Sequence, residues 1–264
     1  MSKFTENVVS EITKDYIKKL LEKGTRLDGR NHDEYRKIEV QRNFIPRAEG
    51  SALVKIGKTQ VLVGIKVEKG MPFPDTPNMG ILATNAELVP LASPTFEPGP
   101  PGEEAIELAR VVDRGIREGK VIDLEKLVIK ENELVWVIFV DIHVLDYDGN
   151  LFDASSLATM IALLDTIVPA KKNNLGEDFK LPINHIAVSN TFVKIGNKIV
   201  VDPNLDEENI ASARITISTT EDGRVHAIQK GLEGSFTVEE ILNIIEMSKK
   251  IGKDIRENVI MKRD

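Results

Sequence analysis

Three groups of residues have the types and spacing to do chemistry. Asp141, His143, Asp146, Asp148 and Asp153 follow one another closely and suggest metal ligands, or a nucleophile with its base, as in a metal-dependent hydrolase. On a strand Asp141 and His143 share one face and Asp146 takes the other, so no convergent three-ligand set follows; surface acids with a turn at Asp148-Gly149-Asn150 account for the pattern as well. A second group is VDPNLDEEN (201–209), acid-rich from Asp202 to Glu208, which would suit magnesium through carboxylate oxygens or stand as plain solvated surface. At Arg214, downstream, a cation stands where another metal-facing acid would have helped. The third group is Arg110, Arg114 and Arg117, four and three residues apart and therefore stacked along one helical face. Guanidinium forks along such a stripe suit phosphates. The alternative is a solvated face whose charge Glu107 and Asp113 neutralise through neighbouring-turn ion pairs.

The elements that must carry these groups alternate between helix and strand. Residues 7–22 space Ile12, Tyr16 and Leu20 by four, with Gly24 as a C-terminal cap, and predict an amphipathic helix. Ile38 and Val40 open a strand, and SALVKIGKTQVLVGIKV reads as a hairpin turning at Gly57-Lys58. The Pro- and Gly-rich 70–80 segment is loop, ILATNAEL from Ile81 is strand, and TFEPGPPG (95–102) is a stiff connector. EEAIELARVVDRGIREGK then forms a helix with acids in its first turn and its apolar stripe at Ala105, Ala109, Val112 and Ile116. LVWVIFVDIHVLDYDG (134–149) is a long strand, and ASSLATMIALLDTIV (154–168) is a helix apolar nearly all round and hence buried. FVKIGNKIVVD (192–202) echoes LVKIGKTQVLV (53–63), as two similar hairpins would. Thr237-Val-Glu-Glu240 is a capping box opening a last helix with Ile241, Leu242, Ile245 and Ile251 on one side. The fold class expected is α+β, with mixed sheets packed by helices.

Composition narrows the classes further. The chain has 264 residues, 41% of them hydrophobic, enough for a packed core. It has no cysteine, which excludes disulfides, zinc-cysteine sites and thiol nucleophiles. No apolar run approaches the ~20 residues that span a bilayer, and the N-terminal stretch lacks a signal-type apolar core, so no membrane association and a cytoplasmic location are expected. A net charge of −7 argues against coating nucleic acid by bulk charge; any such contact needs a local basic patch or a partner's help.

RLDGR (26–30), GSALVKIGKTQVLVGIKV (50–67), TFEPGPP (95–101), ELARVVDRGIRE (107–118), LDYDGNLFDASSLA (145–158) and VDPNLDEE (201–208), taken together, resemble the ribonuclease PH family. Within it they are most similar to the non-catalytic ribonuclease PH-like subunits of the archaeal exosome. The resemblance implies a two-lobed ribonuclease PH-like fold of strand-helix repeats, with an N-terminal helix over 1–25, a first lobe over 26–175 and a second over 176–264. It also implies partners: a catalytic ribonuclease PH-like subunit alternating with this one in a hexameric ring, RNA-binding cap subunits on one face, and single-stranded RNA as ligand.

Family enzymes shorten RNA from its 3′ end by phosphorolysis. Their site must hold two phosphoryl groups together, which calls for phosphate donors and for carboxylates serving a metal ion or proton transfer. Active relatives carry a glycine-glycine-threonine-arginine run where this chain has Gly149-Asn150-Leu151-Phe152, and Leu151 and Phe152 cannot hold phosphate. They also carry two aspartates six residues apart; the matching positions here are Glu208 and Arg214. The resemblance therefore implies a degenerate site with no catalytic residue, no metal and no cofactor, while Arg110 and Arg114 match positions that contact RNA phosphates. Arg117 is left without an assignment. The alternative is an active phosphate-dependent 3′-to-5′ exoribonuclease whose rearranged site uses Glu208 and the acids from Asp202 to Asp206.

Overall fold

The computed structural model of the chain describes residues 11–262, so residues 7–10 of the expected first helix and the Ile12 side chain lie outside the described region. The chain opens with α1 (Glu11–Glu22) and then lays down β1 (Ile38–Arg42), β2 (Gly50–Ile56), β3 (Thr59–Gly70) and β4 (Ile81–Leu88). α2 (Glu103–Glu118) follows, then the short β5 (Val128–Lys130), the long β6 (Leu134–Asp146) and α3 (Leu151–Leu164). Two-residue strands β7 (Ile167–Val168) and β8 (Phe179–Lys180) lead to β9 (Val188–Ile195) and β10 (Lys198–Val201). The chain ends in α4 (Leu205–Ile210), β11 (Ala213–Thr219), β12 (Val225–Gly231) and α5 (Val238–Ile255), which runs on into a π-helical turn.

Two main sheets result. The first has the order β1-β2-β3-β6-β4, antiparallel except for the parallel β4–β6 pair, which α2 connects; β5 pairs with β6. The second is the antiparallel β10-β9-β11-β12. This is the α+β architecture that the alternating pattern predicts. Both expected hairpins form, β2–β3 and β9–β10, and each turns at a glycine in left-handed backbone, Gly57 at φ 60° and Gly196 at φ 59°. The matching turns explain the echoed sequence, although the sheets that receive the two hairpins differ in strand order.

The period-two pattern of β3 sends Val61, Val63, Ile65 and Val67 inward, opposite Ile138, Val140, Ile142 and Val144 of β6. α3 packs against β2 and β3 and also against β9 of the second sheet, which is why its sequence shows no polar face. It begins at Leu151, three residues before the start expected from its apolar run, because Asn150 caps it with a side-chain oxygen that accepts from the Asp153 amide. α2 lies on β4 of the first sheet and reaches β12 of the second, bringing its arginines to the junction.

Two faces differ from the periodicity reading. On α1 the side chains that go inward are Ile17 and Leu21, which pack on Val193, Ile195 and Val200, while Tyr16 is 54% exposed. The neighbouring aliphatic positions fill the sheet surface without having to satisfy a phenol. On α5 the buried positions are Ile244, Ser248, Gly252 and Ile255, and Leu242 is 59% exposed; small residues let this helix sit close to β9 and β11. Its capping box forms as expected, with Thr237 and Glu240 exchanging bonds to each other's amides.

Candidate nucleic-acid interface

The α2 stripe faces a cleft of about 590 Å³ between that helix and β4, lined among others by Thr84, Asn85, Pro101, Arg110 and Arg114. Ala105, Ala109, Val112 and Ile116 are buried as expected and anchor the helix, leaving the arginines outward. The three are not equivalent. Arg117 makes a two-point ion pair with Asp113 at 2.9 Å and donates to the Leu82 carbonyl, so it ties α2 to β4. Arg114 donates to Gln229 Oε1 of β12 at 3.3 Å. Arg110 is exposed and makes no ion pair or hydrogen bond with the described residues. Glu107, expected to neutralise the stripe, instead pairs with Arg214 at 2.8 Å. The basic edge of the cleft is thus Arg110 and Arg114.

Behind this edge the N-terminus of α3 meets the acid-rich loop, β11 and β12. Gly149 has φ 84°, and a Cβ on it would lie 2.5 Å from the Asn204 carbonyl carbon, so the α3 N-terminus and the acid-rich loop are in backbone contact. Phe152 is buried, 6% exposed. The Arg214 guanidinium lies over its ring, 4.4 Å from the centroid, and a Cβ on Gly231 would lie 2.7 Å from Arg214 Nη2 on another side. Phe152 and Arg214, far apart in the sequence, therefore touch. Leu151, beside Phe152, is partly buried and packs on the main core.

Glu208 accepts from the Asn150 amide at 2.8 Å and from the Tyr147 hydroxyl at 2.9 Å. Burial raises its pKa, and these two donors with the Arg214 and Arg36 charges only partly offset the rise. The pair Glu208 and Arg214 does not fit a magnesium ion: a guanidinium has no acceptor and would repel the cation, and both oxygens of the carboxylate already accept protein hydrogen bonds.

Asp202, Glu207 and Asp153 are structural. Asp202 is fully buried at φ 47° and is held by Arg36 through both oxygens at 2.8 and 2.9 Å, by Arg30 at 2.9 Å and by Asn150 at 2.7 Å. Burial pushes its pKa up, but the Arg36 bonds and charge outweigh that and leave it lowered. Glu207, also buried, forms a two-point pair with Arg26. The arginines of RLDGR thus clamp the loop that the sequence offered as a metal site. Asp153 accepts from Tyr35, Asn150 and both the amide and hydroxyl of Thr191, and burial lifts its pKa to about 6 despite those donors.

The candidate hydrolase cluster does not converge, in keeping with the strand geometry that sets Asp146 on the opposite face from Asp141 and His143. His143 sits 3.3 Å from Glu87, Asp146 meets Gln60, and Asp148 lies beside Arg36. Among the described residues no three His, Cys, Asp or Glu side chains come together as metal ligands would. Sequence reading missed Arg26, Arg30 and Arg36 as the anchors of the acid-rich loop, and Gln229 and Tyr147 as pocket partners. The four-residue spacing of Arg26 and Arg30 about a glycine turn was the available signal; Gln229 offered none.

Comparison with known proteins places this geometry. The sequence matches the 3′ exoribonuclease family, domain 1 over residues 34–169 and domain 2 over residues 185–251. The chain belongs to the 3′ exoribonuclease (RNase PH) family. It is 53% identical to the exosome complex component Rrp42 of Thermoplasma acidophilum, over 97% of this chain and 98% of that protein. It is 54% identical to Rrp42 of Thermococcus kodakarensis, over 96% of both. Among solved family structures, a chain of the Archaeoglobus fulgidus exosome with RNA bound to the active site superposes with a TM-score of 0.92 at 50% identity, over 95% of this chain and 99% of that one. A chain of an archaeal exosome core gives 0.87 at 47% identity, over 94% and 96%. Rice Rrp46, at 20% identity and a TM-score of 0.68, shares the fold, over 89% of this chain and 100% of that one.

Proposed function

We propose that this chain is a non-catalytic core subunit of an archaeal-type RNA exosome ring, which completes its partner's active site and grips RNA during phosphorolytic 3′-to-5′ degradation. One observation carries the loss of catalysis. The Arg214 guanidinium, stacked on Phe152 and paired with Glu107, stands at the position where the family resemblance calls for a second carboxylate, beside the one where it calls for a phosphate donor. Against the alternative of a rearranged site built on Glu208, Tyr147 and Asn150 hold that carboxylate, Glu207 serves Arg26 and Asp202 serves Arg30 and Arg36, which leaves Asp206 as the exposed acid of the loop.

The RNA role belongs to Arg110 and Arg114. They stand on the rim of the cleft, and an acidic chain binds RNA through such a local edge when a partner supplies the rest of the positive field. Phosphate contacts read no base, so the grip is tolerant of sequence. The partners of this reading are a phosphorolytic ribonuclease PH-like subunit alternating with this chain in a six-membered ring, RNA-binding caps, and single-stranded RNA, in the cytoplasm. Its lobes are 26–175 and 176–264. Replacing Arg110 and Arg114 with alanine is expected to lower retention of single-stranded RNA by the assembled ring at least about tenfold and to flatten its salt dependence, with the ring intact by size-exclusion chromatography. Unchanged retention would remove the role.

A further inference from the structure

The pocket residue that replaces a catalytic acid is joined to the arginine at the RNA edge by a short chain of side chains. Arg214 Nη2 donates to Glu107 Oε1 at 2.8 Å. The Gln229 amide nitrogen donates to the same oxygen at 3.4 Å, and the Gln229 amide oxygen accepts from Arg114 Nη1 at 3.3 Å. Phe152 holds the far end, under the Arg214 guanidinium. The run crosses four elements, α3, β11, α2 and β12, and so spans the junction of the two sheets.

We infer that Arg214, Glu107 and Gln229 form a positioning relay that fixes the Arg114 guanidinium at the rim of the cleft, so that the residue standing in the lost catalytic position now orients an RNA contact. The inference rests on the RNA role proposed for Arg114. The chemistry of each link is specific. A carboxylate at 229 would repel Glu107 and a cation there would repel Arg114, whereas the glutamine amide accepts from one neighbour while donating to the other. Arg114 is exposed, and without Gln229 its long side chain has no other partner among the described residues to select one rotamer. Binding RNA would then require ordering that side chain at the moment of contact. Arg214 in turn fixes Glu107, which is partly exposed and would otherwise turn toward water.

The test uses the chain assembled in its ring and a single-stranded oligoribonucleotide, with affinity measured across a salt series. The variants are Gln229→Met, which keeps the length and removes both bonds, Arg114→Ala, their double mutant, and Arg214→Met as a second break in the same relay. Gln229→Met is expected to weaken binding about threefold and to move the slope of log affinity against log salt toward that of Arg114→Ala. In the Arg114→Ala background Gln229→Met should do nothing further, and Arg214→Met should show the same dependence on Arg114. If Arg114→Ala weakens binding while Gln229→Met leaves affinity and slope unchanged, the relay is wrong and the RNA role of Arg114 stands. If Gln229→Met weakens binding equally with and without Arg114, the relay is also wrong. If Arg114→Ala itself has no effect, the RNA role falls and the relay falls with it.

Discussion

The contact between Phe152 and Arg214 gives a coupling energy that a double-mutant cycle can read. With the guanidinium 4.4 Å from the ring centroid, 17% of the arginine side chain exposed and 6% of the phenylalanine, the pair is largely desolvated. A cation–π contact in that setting is worth about 1–2 kcal/mol. Arg214→Met loses it along with a partly exposed ion pair to Glu107 worth ~0.5 kcal/mol, but it also removes the buried and unpartnered Nε, whose desolvation costs roughly 1–3 kcal/mol. The single substitution should therefore change stability little. Phe152→Leu shrinks a buried ring and costs ~1–2 kcal/mol, cavity included, beyond the lost coupling. The cycle over Phe152→Leu, Arg214→Met and the double mutant, measured by urea denaturation of the full chain, is expected to give a coupling of about 1–2 kcal/mol. Additive effects, with a coupling below ~0.3 kcal/mol, would refute the claim that the two positions form one structural unit.

Two further substitutions probe the buried network behind the pocket. Arg36→Met leaves the Asp202 carboxylate and the Asp148, Gly149 and Pro203 carbonyls without their shared donor, and should cost about 3–5 kcal/mol by denaturant midpoint. Because the folded pKa of Asp202 is lowered, the stability it contributes is present above its ordinary value of 3.8 and is lost as pH falls through the lowered value; Arg36→Met should weaken that acid limb. Asp153 runs the other way. Its folded pKa of about 6 exceeds the ordinary 3.8, so the native state binds the extra proton and the stability that proton provides is lost as pH rises between those values. Asp153→Asn should flatten the stability profile in that window; an unchanged slope would place the titration elsewhere.

Elements with strong periodicity or explicit caps were legible in the residues. The β2–β3 and β9–β10 hairpins, β4, β6, α2 and the capping box of α5 stand where alternation, glycine turns and capping chemistry put them. The inward faces of α1 and α5 were less so, because a helix with apolar residues on neighbouring stripes leaves the choice to the surface it meets, and that surface here favours Ile17 over Tyr16 and Ile244 over Leu242. Leu151, Phe152, Glu208 and Arg214 were legible as residue types, and the family resemblance is what proposes them as a degenerate site. Their contact was not, since positions 152 and 214 are brought together only when α3 and β11 pack. The acid-rich loop was the least legible. The residues left Asp202 and Glu207 open between magnesium ligands and solvated surface, and the fold makes them neither, because Arg26, Arg30 and Arg36 come across the chain to pair with them. A carboxylate's role is set by which cation reaches it first, and sequence spacing does not carry that information over such separations.

The proposed loss of chemistry on a retained exoribonuclease scaffold is tested most directly by following nucleoside diphosphate release from single-stranded RNA, in the presence of inorganic phosphate and magnesium, by the purified chain alone and then together with the proposed phosphorolytic ring partner. No release is expected from the chain alone, and progressive shortening once the partner is present. Phosphate-dependent release by the chain alone, abolished by Glu208→Gln, would contradict it and make this pocket an active site.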